Sequence, residues 1–331
     1  GHDEFLVKSR KGEVLDPPRL NYHTRIDMRK DEYKEALAGL LYQGDDRIGE
    51  GELDVRKLEY AYSWYDFAQA AKNDHYYDPA SGTYKGGFVI NAEGEKEAIK
   101  GRSSFIMKKK VKVYPDTLCW LKDLTYAYNE PFVREYFSHI GYDNYPVVGV
   151  NWHQAQAFCN WRTQYFNSNA GVRVQAWRLP NEVEWEYAAR GGLSGAKYPW
   201  GGPYTRNKKG CFLANFKPLR GNYISDGGFT TVPVGTYEPN GFGLYDMAGN
   251  VAEWTGDAFD ESAYQVTHDL SPYYQITAKK SDNKILKRKV IRGGSWKDIA
   301  YFMQCGVRTY EYADSARSFI GFRTVRTRIE Y

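Results

Sequence analysis

The spacing of apolar and polar positions divides the chain into two textures. In the first third, apolar residues recur at helical intervals. Asp31 is placed to cap a helix carrying Tyr33, Leu37, Leu40 and Leu41 and ending near Gly44. Asp54 is placed to cap a second, with Leu58, Ala61, Tyr62, Tyr65 and Ala68 at helical spacing. Residues 73–104 are rich in turn pairs, among them Asp78-Pro79, Ser81-Gly82 and Gly86-Gly87, which predict a surface excursion. Val111, Val113 and Tyr114 alternate as in a short strand that leads into Pro115.

From about Tyr142 the texture changes. Residues Pro146 to Val150 form a short extended run, and Asn151 then caps a helix with Gln154 three positions on, close to a capping box. That helix carries Ala155, Phe158, Cys159, Arg162 and Phe166 on one side. A clearer box joins Asn181 to Glu184 at the start of a helix that Gly191-Gly192 stops. The remainder is punctuated by Gly, Asn and Trp, with short strands and little helix. No internal repeat or low-complexity tract occurs.

Composition bounds the chemistry. A chain of 331 residues with 42% hydrophobic residues, nine Trp and 29 Tyr has the material for a sizeable core. Its 45 basic and 41 acidic residues leave +4, too even a balance to point to nucleic acid. Two basic runs stand out, Lys108-Lys109-Lys110 and the stretch from Lys279 to Arg292. Each reads first as a solvated strand edge or loop, and second as a patch facing anionic headgroups or an acidic partner. No apolar run reaches the roughly 18 residues that a membrane span requires. No signal peptide is present, and an N-terminal leader or lipid anchor is expected to lie outside the sequence that opens at Gly1-His2-Asp3-Glu4.

Cys119, Cys159, Cys211 and Cys305 are widely spaced, without a CxxC pair or a Cys/His metal pattern. Phosphate-binding loops, zincin motifs, nucleophile elbows and EF-hand loops are all missing. Glu182, Glu184, Glu186 and Glu253 are the carboxylates open to acid–base work. Glu184 is explained by its cap, and Glu182 and Glu186 share a helix face as solvated or Arg-paired charges.

Four segments in order resemble one family. They are Tyr145 to Trp152 with its helix, Arg178 to Gly192, Gly241 to Trp254, and Arg292-Gly293-Gly294-Ser295-Trp296 followed by Gly321-Phe322-Arg323. Together they resemble the formylglycine-generating-enzyme domain. The resemblance implies an α+β, loop-rich variant of the C-type-lectin fold at residues 142–331. Finer features, including Val113 to Trp120, Tyr126 to Pro131, Tyr204 to Asn207 and Lys297-Asp298, resemble the branch of gliding-motility and type IX secretion lipoproteins of the GldK/PorK kind. Residues 1–141 are then expected to be that branch's own, mostly helical insertion.

Active enzymes of this family resemble copper-dependent oxidases that hold Cu(I) on two cysteines shortly after the Gly-Gly-Ser segment. Cu(I) needs two soft thiolates close together. Residues Ser295 to Gln304 contain no cysteine, Cys305 is alone beyond them, and Met303 is a weak substitute. The expectation is therefore a pseudoenzyme without copper and without catalytic residues.

The resemblance also carries calcium loops. It implies side-chain ligands at Asp246 and Glu253 with carbonyls of Gly249 and Val251, and a second loop using Asn215 and Asp226 with carbonyls of Phe216 and Gly228. The alternative is that both loops are hydrogen-bonded turns, with Asn250 left-handed and Glu253 accepting backbone N–H groups. The function implied is a structural ring component of the type IX secretion machinery in the periplasm. It would associate with itself and with a GldN/PorN-type partner, attached to the outer membrane through a lipid anchor. An enzyme with altered chemistry, in a pocket lined by Ser295, Trp254 and Arg292, and a carbohydrate- or peptide-binding module are the alternatives.

Overall fold

The computed structural model describes residues 3–327 apart from 16–20, 22, 25–26, 28–29, 45–51, 73, 86, 126–128, 170–173, 220–221, 223, 225–227 and 271. In the first third, α1 (Asp31–Leu37) runs on into a 3₁₀ turn at Ala38–Leu40. Lys30 occupies the cap position, so Asp31 opens the helix instead of capping it.

Asp54 does cap, its carboxylate accepting from the Arg56 amide at 3.2 Å, but the turn it starts lasts only from Val55 to Lys57. The chain then enters β1 (Glu59–Tyr65), where a second helix was expected. The reason lies in the aromatic residues. Tyr60, Tyr62 and Trp64 alternate along β1 and stack on one face, with centroids 6.3 and 5.4 Å apart. The apparent helical spacing of Leu58, Ala61, Tyr62 and Tyr65 is overridden by this period of two and by pairing with a distant strand.

After α2 (Phe67–Ala70) come two hairpins, β2 (Tyr76–Asp78) with β3 (Thr83–Lys85) and β4 (Phe88–Ile90) with β5 (Lys96–Ala98). They account for the turn-rich segment. Strand β6 (Ile106–Lys112) then pairs antiparallel with β1, placing Tyr62 opposite Lys109. The strand expected near Val111 is thus present but ends before Val113. Val89, Phe105 and Met107 form a small core under the hairpins. The expected mostly helical insertion is therefore corrected: it mixes short helices with paired strands.

Helices α3 (Cys119–Asp123) and α4 (Glu130–Glu135) lead into α5 (Trp152–Asn169). The start of α5 is a complete capping box: Gln154 N donates to Asn151 Oδ1 at 2.9 Å, and Asn151 N to Gln154 Oε1 at 2.8 Å. Helix α6 (Glu182–Arg190) has the same device at Asn181 and Glu184, and ends at Gly191 in the left-handed conformation.

Strand β7 (Ala252–Ala258), helix α7 (Ala263–Val266), and strands β8 (Arg288–Arg292), β9 (Thr309–Tyr312) and β10 (Ile320–Phe322) complete the order. The four strands form one sheet in the order β10-β7-β8-β9, with β10 parallel to β7, the other pairs antiparallel, and a bulge between Trp254 and Ala258. Against it, Ala155 and Cys159 of α5 pack with Leu179, Trp254, Ile291 and Ile320. Burying a side chain as large as Trp254 contributes about 3 kcal/mol. Phe158 and Phe166, expected on the apolar side of α5, are partly exposed at its flank. A second cluster joins Trp120 of α3 to Trp296, ring centroids 6.2 Å apart. The fold is a mixed α/β arrangement whose small sheet presents the 246–254 turn and the 293–305 segment side by side.

Candidate functional site

The turn before β7 is held by glycine and asparagine geometry. Gly249 has φ 77°, and a Cβ there would collide with the Asn215 carbonyl oxygen. Asn250, at φ 62°, is left-handed, as the hydrogen-bonded-turn alternative to calcium implied. Its side chain clamps Val232 in both directions, Oδ1 accepting from Val232 N at 3.0 Å and Nδ2 donating to Val232 O at 3.1 Å. Asn250 N donates to Asn215 O at 2.8 Å, and Asn215 Nδ2 to Thr230 O at 2.7 Å. The turn and the 215–232 loop are therefore one hydrogen-bonded unit.

The sequence-derived ligand residues fall around this unit. Glu253 is buried and accepts from Arg323 through both oxygens, at 2.5 and 2.7 Å, and from Trp185 Nε1 at 2.7 Å. Its donors are thus side chains, where backbone N–H groups had been the expected alternative to calcium. Asp246, also at positive φ (55°), accepts from Gly235 N at 2.8 Å. Burial raises its carboxyl above the usual range, and the charge of Glu253 adds to the effect while the Gly235 amide and Arg323 oppose it. Val251 and Phe216 are buried, Phe216 packing edge-on to Phe212 at 5.2 Å. Gly228 lies directly against the Asn215 side chain. Asp226 lies outside the described residues.

Two acids and one arginine leave this turn one negative charge in excess. Asp246 Oδ1 accepts no hydrogen bond among the described residues, which suits a hard cation. No group of three or more His, Cys, Asp or Glu side chains among the described residues is arranged to hold a metal. The backbone carbonyls of Gly249 and Val251 would have to supply the remaining oxygens, and a cation would compete with Arg323 for Glu253.

Behind the turn, the acidic face of α6 is tied into an arginine network. Glu182 takes Arg308 at 2.6 and 2.9 Å, and Arg292 Nη1 stands 3.3 Å from it. Arg292, fully buried, also reaches Glu186 at 2.5 Å and the carbonyls of Cys305 and Val307. Arg190 holds the other Glu186 oxygen at 2.6 Å. Glu182 and Glu186 are therefore Arg-paired as the helix face implied, and neither stands free as an acid or base. Asp257 sits beneath, accepting from Glu182 N at 2.6 Å and Tyr274 N at 3.0 Å. Burial raises its carboxyl to about 6.

The segment expected to replace the copper site is packed shut. Trp254, Arg292 and Ser295 are buried, and Ser295 Oγ is bonded to Asp298 at 2.6 Å. Cys305 is fully buried, and burial pushes its thiol up to about 11. All four cysteines are free, and burial likewise pushes Cys119 and Cys159 up to about 12. Sequence reasoning missed Arg308 and the Trp185 contact to Glu253. Arg323 was visible in the Gly-Phe-Arg segment, but its partner was not.

Among relatives, the formylglycine-generating enzyme of Streptomyces coelicolor is 35% identical over 189 residues, covering 55% of this chain and 53% of that protein. The inactive C-alpha-formylglycine-generating enzyme 2 of Bos taurus is 35% identical over 185 residues, covering 54% and 49%. Among solved structures, PvdO from Pseudomonas aeruginosa aligns with a TM-score of 0.44 at 27% identity, over 55% of this chain and 62% of that one. The chain spans about half the length of the curated relatives it matches. Residues 129–328, holding the 246–254 turn, the α6 network and the sheet, match the sulfatase-modifying factor enzyme 1-like domain, and the chain belongs to that formylglycine-generating-enzyme-like family.

Proposed function

We propose that this chain is a non-catalytic, structural member of its family: a component of the bacterial type IX secretion and gliding machinery. In this reading it builds a periplasmic ring with copies of itself and a partner of the GldN/PorN kind, attached to the outer membrane by a lipid anchor. Its core is read as a variant of the C-type-lectin fold. The observation that carries the non-catalytic half is the 295–305 segment. It offers one cysteine, buried and with its thiol pushed up, where Cu(I) chemistry needs two accessible thiolates.

The scaffold half is supported by exposed apolar residues in the part of the chain before the family's core segments. Trp64 and Phe67 project beside β1, and Leu118, Leu121 and Ile140 project around α3 and α4. Among the described residues no helix is long and apolar enough to cross a membrane. Native mass measurement of the protein from its own membranes tests the reading. Recovery in a large assembly with one stoichiometric partner supports it, and a monomer refutes it.

A second reading, an active oxidase, is favoured by the similarity to relatives named formylglycine-generating enzyme. Incubation with Cu(I) and a cysteine-bearing peptide separates the two, because aldehyde product would establish the enzyme. Calcium in the 246–253 turn is part of the scaffold proposal, as a stabiliser of loops that lack regular structure.

A further inference from the structure

The two basic runs of the sequence, separated by some 170 positions, meet at one place. A cleft of about 1530 Å³ lies between β1, β6, the flank of α5 from Trp152 to Ser168 and the 273–280 loop, and both Lys109 and Lys289 line it. Lys289, on β8, is 8% exposed, with its ammonium 4.1 Å from the centre of the Trp152 ring. Among the described residues that ammonium makes no hydrogen bond or ion pair. Asp257 attracts it but forms no ion pair with it, its two oxygens each accepting from an amide, of Glu182 and of Tyr274. Lys109 Nζ lies 3.2 Å from His153 Nε2. An ammonium has only donors, so Nε2 accepts and His153 is neutral.

An ammonium buried without a counter-charge costs several kcal/mol, and replacing it with an apolar residue is commonly stabilising. Among the described residues, Lys109 and Lys289 therefore line the cleft without an acid bonded to either ammonium. Glu93 and Asp314 line the cleft too, but as exposed residues. Trp64, Ile90, Met107 and Trp152 give the walls an apolar character. The volume exceeds that of typical small-ligand pockets, roughly 300–1,000 Å³.

We propose that this cleft binds a small organic anion, its phosphate or carboxylate group between Lys109 and Lys289 and its apolar body along Trp152 and β1. The site is separate from the 246–254 turn, and it shares Trp64 and Phe67 with the exposed apolar residues of the scaffold reading. A neutral His153 suits it, since its Nε2 lone pair holds Lys109 in place and its ring proton then sits on Nδ1.

Calorimetric titration of the full chain with phenyl phosphate, phenylacetate, inorganic phosphate and benzyl alcohol tests the proposal. Saturable binding of one or both aromatic anions, weakened about 10-fold or more in both Lys289→Met and Lys109→Met, is the expected result; a loss of about 10-fold corresponds to about 1.4 kcal/mol. Whichever anion binds identifies the head group. Circular dichroism and melting confirm that each variant is folded. Lys289→Met removes a buried charge and is expected to melt no lower than the parent. Equal binding of benzyl alcohol, affinities unchanged in either folded variant, or no saturable heat with either aromatic anion would overturn the site. Inorganic phosphate binding as tightly as phenyl phosphate would overturn the role of the apolar walls.

Discussion

Arg308 closes a two-point ion pair on Glu182, through Nε at 2.6 Å and Nη2 at 2.9 Å, and the glutamate is only 3% exposed. The pair links α6 to the strand segment beyond Cys305, 126 positions away. Removing one member leaves the other charge buried.

Glu182→Ala is accordingly expected to destabilise by about 3–5 kcal/mol, because Arg308 loses its acceptor and Arg292 an ion-pair partner in a closed interior. Urea unfolding measures it. A loss under about 1 kcal/mol would mean that water reaches the arginines.

Asn181→Ala is expected to cost about 1 kcal/mol by the same measurement, since the cap of α6 loses the acceptor for Glu184 N, now 2.7 Å from Asn181 Oδ1. Asn151→Ala at the start of α5 is expected to behave alike, because that capping box is also reciprocal. No change in either variant would show that the sheet alone holds the helix starts.

Gly249→Ala is expected to destabilise by at least about 2 kcal/mol. It combines a positive φ with a Cβ that meets the Asn215 carbonyl. The amides of Val232 and Asn250 are expected to lose hydrogen-exchange protection together, as the turn and loop form one bonded unit. Unchanged protection would separate them.

Asp257 ties stability to pH. Its folded carboxyl is raised to about 6, chiefly by burial, from an ordinary value of 3.8. The folded state thus binds this proton more tightly than the unfolded one, so the contribution is fully present below the ordinary value and is lost as pH rises through about 6. Relative to Asp257→Asn, the parent is expected to lose up to about 3 kcal/mol between pH 4 and 7. Asparagine carries a constant penalty, because its NH2 faces an amide donor, but no slope. Parallel pH curves for the two proteins would refute the assignment.

Calcium added to chelator-treated protein is expected to raise Tm by about 4 °C, as binding at about a hundred times Kd contributes about 2.7 kcal/mol. Asp246→Ala is expected to abolish the rise. An unchanged Tm in the parent would mean that Arg323 alone neutralises Glu253, and calcium would leave the reading.

How legible the molecule was depends on the distance over which each feature is decided. The boxes at Asn151–Gln154 and Asn181–Glu184 were readable because both partners lie within one turn of helix. Asn250 was readable as left-handed because asparagine tolerates that conformation next to glycine. The second helix after Asp54 was misread. Its cap was real, but the aromatic alternation of β1 and the partner strand β6 outweighed the local spacing. The ligand residues around Asp246 were named by resemblance, whereas the Arg323 and Trp185 bonds to Glu253, across 70 and 68 positions, carried no local signal.

By itself, then, the sequence determined the starts of α5 and α6 and the stop of α6, the glycine–asparagine turn, the family's four segments and the lack of a second cysteine near Cys305. Those depend on residue type and near neighbours. Tertiary structure alone decided that residues 59–65 form a strand, that Arg308 is the partner of Glu182 and Arg323 that of Glu253, and that Lys109 and Lys289 share a cleft. Each of these joins groups far apart along the chain, and only the packing of the sheet, α5 and α6 determines which charges meet.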